Sequence, residues 1–309
     1  MKGVNLMKVN KLEQLLNYKH DTKMKLVVVA SHDEEVLQAV SEARKLEIAE
    51  PILIGDKKKT LEIIEENNLK LSDCEIIDEV DLVKAAEIGV KLVSSGKANF
   101  LMKGLVDTSI LLKEVLNKEY GLRTDSLLSH VMVYEVPNYH KLIHLTDGGM
   151  NLAPSLEDKV RIIENNVKVC KAFGYNEIKV ACLAAKEKVN PKMEATVHGN
   201  ELKQMYLDGK FEEGVIVDGP LALDLAISKE AAEIKGFKSS VAGDADVLLV
   251  PTIEMGNGIG KSITYFANGK SAGVVMGAKV PIVLVSRADT HESKLYSIAL
   301  GSIISRNQL

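Results

Sequence analysis

The residues best suited to chemistry in this 309-residue chain lie between Asp246 and Arg287, in DVLLVPTIEMGNGIGKSITYFANGKSAGVVMGAKVPIVLVSR. The stretch reads as a buried strand, a Gly/Asn-rich turn opening a helix, a glycine-bounded strand, and a last strand ending in Ser286 and Arg287. A glycine turn at a helix start lets backbone N–H groups approach an anion, and the helix dipole favours negative charge there. Lys261 and Ser262 would stand one turn further in, within reach of the same anion. Arg287 closes a strand, where α/β sheets bind ligands, and its planar guanidinium matches phosphate through two parallel hydrogen bonds. The chemistry this suggests is a phosphate gripped between two chain segments. The stretch is not a P-loop, because the first glycine of G-x-x-x-x-G-K-S would fall on Met255. Gly256, Gly258 and Gly260 also miss the dinucleotide spacing G-x-G-x-x-G. A structural turn carrying a solvated lysine explains the same letters.

Other polar groups follow strand-like runs: Ser31, Lys103, Thr146 with Asp147, Asp218, and Thr252 with Glu254. Such strand ends line one edge of an open α/β sheet, so their recurrence marks a candidate site. Ser31, Asp107 and Ser155 also precede helical stretches, and helix capping accounts for them better than ligand binding does. Lys103, Lys261 and Arg287 are not natural caps, which leaves function and structure evenly matched for them. His140 and His144 fall four apart in a strand-like run, on one face but too far apart to share a small ion. The remaining histidines form no ligand set, and no metal is expected. Cys74, Cys170 and Cys182 are odd in number and unpaired in spacing, as in reduced cytosolic proteins.

The elements that must position these groups alternate from Lys25 onward. LVVVAS precedes a helical pattern over 33–46, PILIGD leads into KKKTLEIIEENN, CEIID precedes DLVKAAEIGVKLVSSG, and NFLMKG opens onto DTSILLKEVLN. Apolar runs without alternation suit strands covered on both faces, and strand–helix alternation implies a mainly parallel sheet. Around 126–145 the pattern changes to two strands joined at Pro137–Asn138, read as antiparallel and as an arm or a crossing between domains. Alternation then resumes, so a second α/β domain is placed from about Tyr134.

Composition excludes several classes. A net charge of −4 with acids and bases mixed throughout leaves no basic stripe for nucleic acid. No apolar run approaches the roughly 18 residues of a membrane span. The opening MKGVNLMKVNKLEQLLNYK has no apolar core of a secretory signal and reads as an amphipathic helix, so a cytoplasmic location is expected.

Five longer stretches carry a resemblance: MKGLVDTSILLKEVL (102–116), LLSHVMVYEVPNYHKLIHLTDGGMNLAPSLEDK (127–159), VDGPLALDLAIS (217–228), VAGDADVLLVPTIEMGNGIGKS (241–262) and PIVLVSRADTHESKLYSIAL (281–300). In order and wording the chain resembles the phosphate acetyl/butyryltransferase family over nearly its whole length. That resemblance implies the reaction acyl-CoA + phosphate ⇌ acyl phosphate + CoA, with butyryl favoured over acetyl. It also implies two α/β domains with an interdomain cleft, as in isocitrate and isopropylmalate dehydrogenases. The last strand and helix would return to the first domain, giving 1–133 plus 278–309 and 134–277. By the same resemblance Arg287 would hold phosphate and the carbonyl oxygen, and Ser286 would orient the thiol or carbonyl. Gly256, Asn257, Lys261 and Ser262 would shape the phosphate side, and Lys103 and Thr108 would help bind substrate. The acetyl enzymes carry an aspartate seven residues after the serine; here that position is Ser293. Asp289, Asp147 and Asp224 are the candidates to replace it as thiol base. Acyl-CoA and phosphate are expected as substrates with no metal or redox cofactor, and a homo-oligomer is implied. A dehydrogenase on the same fold would need acidic metal ligands and a nicotinamide site, and neither pattern is found. A CoA- or anion-binding protein without catalysis is the other reading.

Overall fold

The computed structural model describes residues 8–18, 23–286 and 288–308, so Arg287 lies outside the described residues. The chain forms two compact units, one from Leu12–Ser126 with 272–308, the other from Leu127–Ser271 with 8–11.

The discontinuous unit begins with a 3₁₀ turn (Leu12–Asn17), then β1 (Met24–Val29), α1 (Glu34–Lys45), β2 (Ala49–Gly55) and α2 (Lys57–Glu66). β3 (Glu75–Asp78), α3 (Leu82–Ser94), β4 (Phe100–Lys103) and α4 (Thr108–Val115) follow. The other unit contributes β5 (Ser129–Glu135), β6 (Ile143–Thr146), α5 (Leu156–Ala172), β7 (Ile178–Leu183), α6 (Glu194–Leu207) and β8 (Val215–Leu221). It continues with α7 (Leu223–Ile227), α8 (Lys229–Ile234), β9 (Val247–Leu249) and α9 (Ile253–Tyr265). β10 (Lys270–Met276), β11 (Ile282–Val283) and α10 (His291–Asn307) complete the chain.

In the discontinuous unit the strand order is β3-β2-β1-β4-β11-β10. Neighbours are parallel except β10 and β11, which run antiparallel. The unbroken apolar letters of LVVVAS become β1, whose Leu26–Val29 segment is buried from both sides, as parallel strands require. α1 lays Val36, Leu37, Val40 and Ala43 on the core, and its N-cap is Asp33, which accepts from the Val36 N–H at 2.9 Å. Ser31 is therefore not the cap; its hydroxyl is buried 3.3 Å from that of Thr60. α10 is buried continuously from Lys294 to Ser305 and packs on α1, β1, β4 and β11, with Ser302 Oγ donating to the Ile48 carbonyl at 2.9 Å.

In the other unit the order is β5-β6-β9-β7-β8, parallel apart from the β5–β6 pair. The antiparallel expectation for 126–145 holds, with its turn at Pro137–Asn138. β6 runs on into the parallel strands through β9, so the pair is part of the sheet and not an arm. Ser155 caps α5 in a reciprocal box with Asp158, as the sequence suggests.

The starts of β6, β7 and β9 are tied by carboxylates. Asp244 binds His140 Nε2 at 2.7 Å and Lys179 Nζ at 2.6 Å, and Lys141 Nζ lies 2.8 Å from Asp246. Burial alone would raise the Asp244 carboxyl pKa, but the hydrogen bonds from Lys179, His140 and Lys141 outweigh it and hold the group well below the usual carboxylate range. His140 thus sits in the turn before β6, not in the strand, and shares no face with His144. His144 is fully buried, with Nδ1 3.1 Å from Asn166 Oδ1 and its ring edge-on to Phe173 at 5.6 Å. Among the described residues no helix is long and apolar enough to cross a membrane.

Burial pushes the His144 imidazole pKa from 6.5 down to about 4, against the Asn166 hydrogen bond, which raises it. Between those values the unfolded chain binds the extra proton, so this contribution is whole above the unfolded pKa and is lost as pH falls toward the folded one. The loss amounts to about 3 kcal/mol at about 1.4 kcal/mol per pH unit. In urea denaturation at pH 7 and pH 4.5, the wild type should lose more stability on acidification than His144→Gln. Equal losses would show that this buried ring does not set the acid sensitivity.

Candidate active site

In the discontinuous unit the polar groups gather where parallel strands end. β4 closes in Lys103, 8% exposed, whose Nζ donates to the carbonyls of Gly104 at 3.2 Å and Val106 at 3.1 Å. Thr108, half-buried, opens α4 a few residues on, behind Asp107, which occupies the N-cap position without a side-chain hydrogen bond. β11 runs parallel to β4 with Val283 opposite Met102, so the chain leaves β11 beside the Lys103 end. It then enters a tight turn in which Ser286 N–H donates to Asp289 Oδ2 at 2.8 Å and Asp289 N–H to the Ser286 carbonyl at 3.1 Å. Ala288 N–H reaches Ser286 Oγ at 3.3 Å. Ser286 is exposed and Asp289 half-buried, so two of the sequence-named groups are joined directly. Ser293 lies in the first turn of α10, its N–H capped by Thr290 Oγ1 at 3.2 Å. Directly after it comes a residue the sequence reading missed. Lys294 is 2% exposed, and its Nζ donates to the Asp289 carbonyl beneath the turn. The signal was present: a lysine heading a helix that is apolar on several sides cannot keep its head group in water.

In the other unit Asp147 follows β6 and is 2% exposed. Its carboxylate accepts from the N–H groups of Gly149 and Met150, each at 2.9 Å, and from Asn151 N–H at 3.3 Å and Nδ2 at 2.5 Å. Both oxygens are thereby committed to shaping the loop 147–151. Asp224 lies elsewhere, on α7, half-exposed and bonded to Lys235 Nζ at 2.7 Å, which holds its carboxyl below the usual range.

The Gly/Asn-rich segment is not a turn. α9 begins at Ile253 with Thr252 as N-cap, so Gly256, Asn257, Gly258 and Gly260 are helical. Lys261 and Ser262 stand more than two turns beyond the start, Lys261 about 12 Å along the axis, and cannot crown an anion at the helix N-terminus. Glycine lowers helix propensity, but here close packing overrides it. A Cβ on Gly256 would lie 2.5 Å from the Gly148 Cα, and one on Gly260 would lie 2.6 Å from the Tyr134 hydroxyl. With those two glycines turned inward, Asn257, Gly258, Lys261 and Ser262 share one exposed face. The structure thus brings Asn257, Lys261 and Ser262 together and sets Gly256 against the Asp147 loop, while Asp224 stands apart.

Mainly parallel α/β sheets with lysine, serine and carboxylate groups at strand ends are the arrangement in which α/β proteins bind ligands. The chain belongs to the phosphate acetyl/butaryl transferase family, whose model matches residues 11–87 and 80–302. It is 44% identical over 296 residues to the phosphate butyryltransferase of Clostridium acetobutylicum, covering 96% of this chain and 98% of that one. To the probable phosphate butyryltransferase of Bacillus subtilis it is 48% identical over 292 residues, covering 94% and 97%. Among solved structures, a branched-chain phosphotransacylase from Enterococcus faecalis superposes with a TM-score of 0.81 at 36% identity, over 91% of this chain and 99% of that one. A 4-hydroxythreonine-4-phosphate dehydrogenase from Burkholderia phymatum gives 0.51 at 13% identity over 92% and 99%, a likeness of fold alone that bears out the dehydrogenase-like expectation.

Gly256 and Gly258 offer a paired test. Gly256→Ala forces a methyl into the Gly148 backbone and should destabilise by about 1–3 kcal/mol. Nothing stands within 4 Å of a Cβ on Gly258. Gly258→Ala should therefore stabilise α9 by about 0.5–1 kcal/mol. Thermal denaturation of the two variants checks the sign of each; a neutral Gly256→Ala would show that the loop and helix can separate without penalty.

Proposed function

We propose that this protein moves a short-chain acyl group between coenzyme A and inorganic phosphate, acyl-CoA + phosphate ⇌ acyl phosphate + CoA, with butyryl preferred to acetyl. The observation that carries this is similarity to phosphate butyryltransferases over almost the full length of both chains. The joined Ser286–Asp289 turn supports the chemistry.

In this reading a phosphate oxygen attacks the thioester carbonyl carbon. Charge collects on the carbonyl oxygen of a tetrahedral intermediate, the C–S bond breaks, and CoA leaves as a thiolate that takes up the proton given up by the attacking phosphate. The carbonyl carbon keeps its oxidation state, and no P–O bond breaks, so the step itself requires neither redox cofactor nor metal. What it requires is positive charge and N–H or O–H donors for phosphate and oxyanion. Arg287 serves phosphate and the carbonyl oxygen, and the exposed Ser286 hydroxyl orients thiol or carbonyl. Lys103, with Thr108 close by in sequence, adds a cation and a hydroxyl at the neighbouring strand end. Asn257, Lys261 and Ser262, on the open face of α9 beside Gly256, contribute to phosphate binding. Of the three candidate bases, Asp289 is favoured because, among the described residues, only one of its carboxylate oxygens is engaged, by Ser286 N–H. Asp147 is saturated by loop donors and Asp224 is paired with Lys235.

A cytoplasmic homo-oligomer completes the proposal. An apolar groove of ≈ 680 Å³, walled by Val136, Ile143, Leu223, Leu248, Ile259 and Ile263, supports self-association. So does Phe266, 90% exposed at the end of α9.

The test is thiol release from butyryl-CoA and acetyl-CoA with and without phosphate. Phosphate-dependent release, faster with butyryl-CoA, is expected; release that ignores phosphate, or none, overturns the assignment. Arg287→Ala should lower turnover by about 10²–10³-fold in a folded protein. A variant near wild-type turnover removes Arg287 from the reaction.

A further inference from the structure

Lys294 has a chemical environment that the fold does not need. The side chain is 2% exposed, within the continuously buried stretch of α10. Among the described residues its ammonium has one hydrogen-bond acceptor, the Asp289 carbonyl, and no carboxylate within ion-pair distance. Burying a cation without a counter-ion is unfavourable, because a lone carbonyl replaces little of its hydration. The position compounds this. Lys294 lies in the opening turns of α10, where the helix dipole already presents positive charge and disfavours a cation. An apolar residue would fill the same space without that penalty, and a neutral donor could hold the same carbonyl.

The turn above explains the arrangement. Resting on the reading of 286–289 as the phosphate-handling turn, we infer that Lys294 is a positioning residue of the acyl transfer: it fixes the turn through the Asp289 carbonyl and supplies from below a positive charge whose counter-ion is the phosphate substrate. The geometry fits a role through the turn and not by contact. Nζ bonds the main chain of Asp289, whose carboxylate in turn orients Ser286 N–H at 2.8 Å. One cation thus bears on Ser286 and Asp289 together. Thr290 and Ser293 in the same turn are uncharged, and the acids nearby are engaged by other donors, Asp289 by Ser286 N–H and Glu292 by the Tyr296 hydroxyl at 3.0 Å.

The experiment uses the full-length enzyme with Lys294→Met, Lys294→Arg and Arg287→Ala. It reads KM for phosphate, KM for acyl-CoA, kcat, and the rise in thermal midpoint on adding inorganic phosphate, since a ligand bound to the folded state raises that midpoint. For Lys294→Met the expected result is a KM for phosphate raised about 10-fold to 100-fold, an acyl-CoA KM changed by no more than about threefold, and a lost phosphate-induced midpoint shift. Lys294→Arg should recover most of the phosphate response. If Lys294→Met does not fold, Lys294→Gln keeps a donor for the Asp289 carbonyl without the charge and carries the same readout. An unchanged phosphate KM, or equal losses in both KM values with a lowered midpoint, reduces Lys294 to a structural part and overturns the inference. If Arg287→Ala loses the phosphate response while Lys294→Met keeps it, only the assignment of Lys294 fails. If both keep it, the reading of the turn fails with it.

Discussion

Gly148 and Gly256 meet with backbone against backbone, and that contact fixes how closely the loop after β6 can approach α9. Nothing larger than hydrogen fits on either side. The Asp147 carboxylate supplies the other half of the constraint by collecting the loop's N–H groups, so that Gly148 is presented to the helix in one way. Once Gly256 and Gly260 are forced inward, the helical repeat of about 100° per residue leaves Asn257, Lys261 and Ser262 facing outward together. The polar face of α9 is thus a consequence of where its smallest residues must go. Its glycines serve packing, and the loss of helix propensity is the cost of that packing.

The two ends of the strands have been put to different uses. At the starts of β6, β7 and β9, Asp244 and Asp246 are closed in by Lys141, Lys179 and His140, and nearly every charge has its opposite. Such a network holds strands in register and offers little to a ligand. Where β4 and β11 end, Lys103 and Lys294 are buried and donate to main-chain carbonyls, while Ser286 stays exposed. Charge held against a carbonyl, as on Lys294, attracts an anion more readily than charge spent on a carboxylate.

Much of this architecture can be read from the letters. Runs such as LVVVAS and NFLMKG, apolar without alternation, lead directly to parallel strands, and the switch near 126–145 marks the antiparallel pair. Ser155 followed by Asp158 announces its capping box. Failures came where contacts distant in sequence decide a local outcome. Glycines at 256, 258 and 260 look like a turn because propensity favours one, whereas they lie in a helix whose Gly256 packs on Gly148 and whose Gly260 packs on Tyr134, both far away in the chain. His140 looks like a strand residue until Asp244 draws it into a turn. Lys294 was overlooked because its neighbours' burial depends on α1, β1 and β4 packing around α10. Ser286 and Asp289 are each singled out from the sequence, and the structure joins them through a local hydrogen bond.

The discontinuity of the first unit bears on how the protein is made. Leu127–Ser271 assembles from an uninterrupted segment joined by residues 8–11, which are already synthesised when it emerges. Its partner unit has the opposite history. The surfaces of α1, β1 and β4 that α10 will cover leave the ribosome early and stay bare until the final helix arrives. During that interval the nascent chain exposes a broad greasy flank and the unpaired side of β4, surfaces prone to aggregation until α10 covers them.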